Sequence, residues 1–130
     1  MTVGISSANL ANKWLDMLAG TAFTAPTTCA VKLHTGDPGS AGTTNASSVT
    51  TRPTVSWSAA SAGSKSMSNT PSWASWAGTN GEVVSHISAW DATSAGNFLF
   101  SAALTASKTV NTGDTLNLTS LTFAFTPIAA

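Results

Sequence analysis

Charge is what this chain has least of. Lys and Arg number 5 and Asp and Glu number 5, so the formal net charge is zero and 8% of its 130 residues are charged. An average globular chain carries about 25%. Solubility must rest instead on Ser, Thr, Asn and Gly, and a neutral surface favours association. The cations are spread from Lys13 to Lys108. They form no stripe that could track a phosphate backbone, which excludes nucleic-acid binding through a basic surface. Carboxylates are as thin. Glu82 is the only glutamate, and the aspartates fall at turns or on a helix surface, so the paired acids of a glycoside hydrolase have no candidates.

Other scarcities narrow the field further. Cys29 is the single cysteine and cannot form an intrachain disulfide; it continues the alternation Cys29, Val31, Leu33 and is expected as a buried structural thiol. His34 and His86 are the only histidines, with no close ligand pair between them, so no metal site is implied. Asp37 and Asp91 could share a Ca²⁺ only if their loops met. No phosphate loop is present, and no cofactor is implied. No run of about 18 apolar residues exists to cross a membrane. A basic stretch followed by an apolar one is missing from the N-terminus, so no signal peptide is expected.

What is present is short alternation punctuated by turns. One amphipathic helix is predicted over about 6–19, with Ser6 or Ser7 as N-cap and Gly20 just past its end. Leu10, Trp14, Leu15 and Leu18 make its apolar stripe, expected to dock on the domain's own sheet. Strands follow at about 29–35, 54–59, 71–77, 82–90, 97–104, 115–119 and 121–126, with surface loops over 40–51 and 60–70. In the first, Cys29, Val31 and Leu33 face in and Ala30, Lys32 and His34 face out. Gly78-Thr79-Asn80-Gly81 reads as a hairpin turn between the third and fourth strands. The densest apolar stretch is the hairpin 82–104, where Val83, Ser85, Ile87 and Ala89 share one face, Val84, His86, Ser88 and Trp90 the other, and Phe98 and Phe100 share a face of the returning strand. This pattern predicts a mainly β chain: one antiparallel β-sandwich domain over 1–130, jelly-roll or immunoglobulin-like in order, with one N-terminal helix.

Candidate chemistry is sparse. A hydrolase could use His34 or His86 with one of the many serines, but no Gly-x-Ser-x-Gly elbow is present and neither histidine has a triad spacing. The five tryptophans are the stronger feature. Trp14, Trp57 and Trp90 fit core or interface positions. Trp73 and Trp76, three apart, cannot share a face of a regular strand. Either a bulge lies between them or one ring is exposed, which makes them the candidates for interface or glycan contact.

Lys32-Leu33-His34-Thr35-Gly36-Asp37-Pro38-Gly39, Arg52 with Val55-Ser56-Trp57, Ser85-His86-Ile87-Ser88-Ala89-Trp90-Asp91 and Gly96-Asn97-Phe98-Leu99-Phe100-Ser101 follow one another in order. Over about 29–126 the chain resembles the small tail-fibre-like or minor tail structural proteins of tailed bacteriophages infecting actinobacteria. The resemblance implies a virion component, assembled in the host cytoplasm, with no enzymatic activity. On this reading His34, Gly36, Asp37, Pro38 and Gly39 form a structural turn whose His and Asp bond loop backbone. The expected partners are further copies of the chain, with three favoured, and other virion proteins. A capsid decoration protein on the head exterior, or a module binding host glycan through Trp73 and Trp76, is the alternative. Membrane insertion is not expected.

Overall fold

The computed structural model describes residues 3–129. It is mainly β and antiparallel, with one short helical segment at the N-terminus. Strands β1 (Ala30–His34), β4 (Glu82–Trp90) and β5 (Phe98–Val110) form a three-stranded sheet in the order β1-β4-β5. Two ribbons accompany it: β2 (Ser64–Ser66) with β7 (Thr122–Ala124), and β3 (Ser72–Trp73) with β6 (Leu116–Asn117). This pairing assigns neither a jelly-roll nor an immunoglobulin order.

The helix forms where local chemistry calls for it. Ser6 Oγ accepts from Asn9 N at 3.2 Å, satisfying an N-terminal donor. The segment opens as a wide turn (Ser7–Ala11), becomes α-helical (Asn12–Asp16) and tightens to a 3₁₀ turn (Met17–Ala19). Gly20 ends it with φ +78°, a left-handed conformation that costs glycine little. The predicted stripe docks only in part. Leu10 is buried and Trp14 half-buried, but Leu15 and Leu18 stay 63% and 87% exposed.

Both faces of the central sheet are covered, and this overturns the in-and-out reading of β1. Val31, Leu33, Ile87 and Ala89 face a core that also holds Val55, Trp73, Trp76 and Phe100. On the other face Ala30 and His34 are as buried as Val31. The reason is the segment 35–53, which folds back as a covering layer. It also closes the free edge of β1: Thr35 N donates to Asn45 O, Ser47 N to Leu33 O, and Val31 N to Pro53 O, at 2.8–3.0 Å. Such caps satisfy the edge groups that would otherwise invite another strand.

Two register shifts in the β4–β5 hairpin correct the predicted faces. One falls between Val84 and His86. Past it the alternation is out of phase, so Val84 joins Ile87 in the core and Val83 is exposed. The other leaves Leu99 unpaired between Phe98 and Phe100. Phe98 therefore packs edge-on to Trp90 at 5.9 Å, while Phe100 turns to the opposite face against Phe123 at 5.2 Å. The strand partners also differ from expectation. β3 pairs with β6, not with β4 across the Gly78–Gly81 turn. Residues 54–59 make only isolated bridges, and β2 lies in the stretch expected as loop.

Gly42 packs the covering layer closely against Phe98 of the sheet. Its φ is +70°, and a Cβ there would stand 2.3 Å from the Phe98 ring. Gly42→Ala is expected to destabilise the fold by about 1–3 kcal/mol in denaturant titration. Gly4→Ala, with open space around it, should stay within about 0.5 kcal/mol.

Candidate functional site

The segment from His34 to Gly39, Arg52, Ser88, Trp90 and Phe98, drawn from the sequence blocks that carried the family resemblance, gather on the face of the sheet beneath 35–53, while Val55, Trp57 and Phe100 lie on the other face. His34 is fully buried at the end of β1. Its Nδ1 lies 2.8 Å from Thr44 O and its Nε2 lies 2.7 Å from Ser88 Oγ. Trp90 Nε1 donates to the same Ser88 Oγ at 2.8 Å. These partners determine the proton positions. A carbonyl only accepts, so Nδ1 carries the imidazole hydrogen. Burial disfavours the imidazolium, so Nε2 accepts the Ser88 hydroxyl hydrogen while the hydroxyl oxygen accepts from the indole N–H. His34 is neutral in this arrangement. Burial pushes it below its ordinary value; the Thr44 carbonyl pulls the other way, and the Lys32 ammonium adds to the lowering.

The rest of the junction is built from turns. Asp37 Oδ1 accepts from Gly39 N at 2.8 Å, and Asn45 Nδ2 donates to Asp37 O at 3.0 Å. Pro38 is buried, and Gly36 lies against the Asn45 side chain. Arg52 places its guanidinium 4.1 Å from the centre of the Trp90 ring and donates to Ala95 O at 2.7 Å. In the hairpin turn Asp91 accepts from the amide and side chain of Asn97 at 2.6 and 2.8 Å. Partial burial raises the Asp91 carboxyl, but these hydrogen bonds outweigh it and hold the group below its ordinary value. Glu82 binds Ser47 Oγ, Ser48 N and Ser48 Oγ at 2.7–3.1 Å and so anchors the far end of the covering layer.

The Ser88–His34 pair has the spacing of a nucleophile and its base. Its setting does not suit one. Both residues are buried, the hydroxyl is held by the Trp90 indole, and the group orienting the imidazole is a carbonyl rather than a carboxylate. Asp37 does not touch the imidazole; its carboxylate is spent on its own turn. His86 Nδ1 bonds Ser85 Oγ at 2.8 Å. Among the described residues no three His, Cys, Asp or Glu side chains gather as metal ligands.

Trp73 and Trp76 lie elsewhere, and the expectation of an open ring there is corrected. They are 4% and 2% exposed. β3 ends at Trp73, and Ser75 takes φ +50°, so the chain turns and returns Trp76 to the core. Their indole N–H groups donate to Thr51 O and Thr79 O, both at 3.1 Å. Both line a depression shared with Arg52 and Thr93, but at this burial neither offers an open ring face for stacking.

The open aromatic surface is instead a cleft of about 770 Å³ between the helix and the ribbon β2–β7. Trp14, Phe23, Trp57, Phe100, Phe123 and Phe125 line it. Trp14 meets Phe123 and Phe125 edge-on at 5.8 and 5.1 Å. Cys29 sits half-buried in its wall, and burial pushes that thiol up, which suits a packing role and not a nucleophile. Sequence reasoning placed Trp14 and Trp57 in core or interface and did not see the cleft. The pairing that makes it, helix against β7, joins opposite ends of the chain and leaves no local signal.

Two outcomes test the junction. Ser88→Ala strips both the Trp90 N–H and His34 Nε2 of their partner and should cost about 1–3 kcal/mol, while Ser85→Ala, at a half-exposed site, should change stability by less than about 0.5 kcal/mol. The second outcome is a pH dependence. Above the ordinary histidine value of 6.5 both folded and unfolded chains hold His34 neutral, and the full stability is present. As pH falls below 6.5 the unfolded chain takes up a proton that the folded chain resists, so stability is lost until the lowered folded value is passed. The denaturant midpoint should therefore be lower at pH 5.5 than at 7.5, and His34→Asn should flatten that change. Asp91 does not confound it, because its contribution is lost only as pH falls below 3.8.

No curated protein matches the chain. A family model does, over residues 5–126, and its description is Podophage GP4 fiber I protein gp80. That span takes in the His34 junction, the covering layer, the central sheet and both walls of the aromatic cleft, and the chain belongs to this phage fibre protein family.

Proposed function

We propose that the chain is a non-enzymatic structural subunit of a tailed-phage virion, tail-fibre-like or minor tail in position. It folds as one unit over 1–130, associates with copies of itself, with three favoured, and docks on other virion proteins. The family match carries the virion role. The surface supports the assembly role. Leu15, Met17, Leu18, Phe125 and Ile128 are exposed on a chain of zero net charge, and apolar surface of this kind marks contact sites. The motif residues His34, Gly36, Asp37, Pro38 and Gly39 serve as a structural turn in this reading. Their polar atoms are directed at loop backbone and at Ser88, not at an open site. The actinobacterial host range belongs to the same proposal and rests on the sequence blocks alone.

Immunogold labelling of purified phage particles, with antibody raised against this chain, tests the position. Label at the tail is the expected result. Label spread over the head exterior would move the role to capsid decoration. A chain absent from purified particles would overturn the structural role.

A further inference from the structure

The helix leaves one apolar surface convex and the fold leaves another concave, side by side. Leu15 and Leu18, at 63% and 87% exposed, form a ridge on the last turn of the helix, with Asp16 between them in sequence. Beside it lies the aromatic cleft, in which Lys65 is the single charged residue. The ridge cannot enter its own cleft. Trp14 forms part of the cleft wall, and Leu18 is one turn further along the same helix, so reaching in would mean unwinding it.

We propose that the two surfaces meet between copies: the ridge 15–18 of one chain seats in the cleft of the next. This rests on the self-association proposed above and names its interface. Apolar side chains fill an apolar cleft, and the ridge carboxylate of Asp16 meets the Lys65 ammonium at its edge. A sugar fits less well. Besides Lys65, the side-chain polar groups lining the cleft are the Cys29 thiol, the Trp14 and Trp57 indole N–H groups and the hydroxyls of Thr27, Thr28, Thr54, Ser56 and Ser64, with no carboxylate, amide or guanidinium among them. A contact between two different surfaces of the same chain is heterologous, and it closes into a ring when the rotation permits. A ring of three would satisfy every ridge and every cleft.

Light scattering on the purified full chain tests this. The wild type should be a stable oligomer at micromolar concentration. Leu15→Asp with Leu18→Asp changes only exposed positions, and Ala60→Arg blocks the cleft from an exposed lining position. Each should weaken assembly by about 30-fold or more, the loss typical of a buried interface anchor, with the far-ultraviolet circular dichroism unchanged. Asp16→Lys and Lys65→Asp should each weaken it by about 2- to 5-fold, as for exposed ion pairs, and together restore it. An oligomer that survives either the ridge or the cleft variant overturns this interface and leaves self-association standing. So does a charge swap that fails to restore what its single changes lose. A wild type that stays monomeric overturns both readings and gives the cleft to a different virion protein or a small apolar ligand.

Discussion

The hydrogen-bond chain from the Trp90 indole through Ser88 and His34 to the Thr44 carbonyl holds the covering layer to the sheet. Each polar atom in it has the partners that its chemistry allows, and His34, Ser88 and Trp90 are buried. In such surroundings a satisfied network is stiff and an unsatisfied atom is costly. The network therefore specifies one arrangement of 35–47 over β1 and β4. From that arrangement follow the capped edge of β1, the close approach of Gly42 to Phe98 and the anchoring of Ser47 and Ser48 on Glu82. The Leu-His-Thr-Gly-Asp-Pro-Gly and Ser-Ala-Trp-Asp blocks are the two halves of one contact.

The opposite face of the sheet is organised differently. It is apolar: Val55, Trp73, Trp76 and Leu118 cover one end of it, and pieces from both ends of the chain, the helix at the start and β7 near the end, cover the other. Hydrophobic burial is not directional, so nothing there compels a perfect fit, and the aromatic rings meet edge-on around a cleft that stays open. One face thus fixes the fold through polar geometry. The other keeps apolar surface in reserve, on a chain with almost no charge to discourage contact with its own kind.

Much of this was legible locally. Ser6 as N-cap, Gly20 as the left-handed stop, the β4–β5 hairpin and the Asp37 and Asp91 turns all depend on a few neighbouring residues, and they stand where the residues place them. The faces were legible only until a bulge intervened. A single unpaired residue at Leu99 sends Phe98 and Phe100 to opposite sides, and the shift past Val84 trades the places expected of Val83 and Val84. Alternation carries no mark of where the partner strand slips.

The sequence by itself determined the class of the protein: a mainly β chain punctuated by turns, begun by one helix, too poor in charge and clustered acids or metal ligands to suggest chemistry. These properties are set by composition and by backbone preferences that act over three or four residues. Only the tertiary structure decided that His34 is buried rather than outward, that β3 pairs with β6, that Trp73 and Trp76 are closed off, and that Trp14, Trp57 and Phe125 line the open cleft. Each of those facts depends on which distant segment arrives to cover a side chain, and burial is a property of the meeting, not of either segment alone.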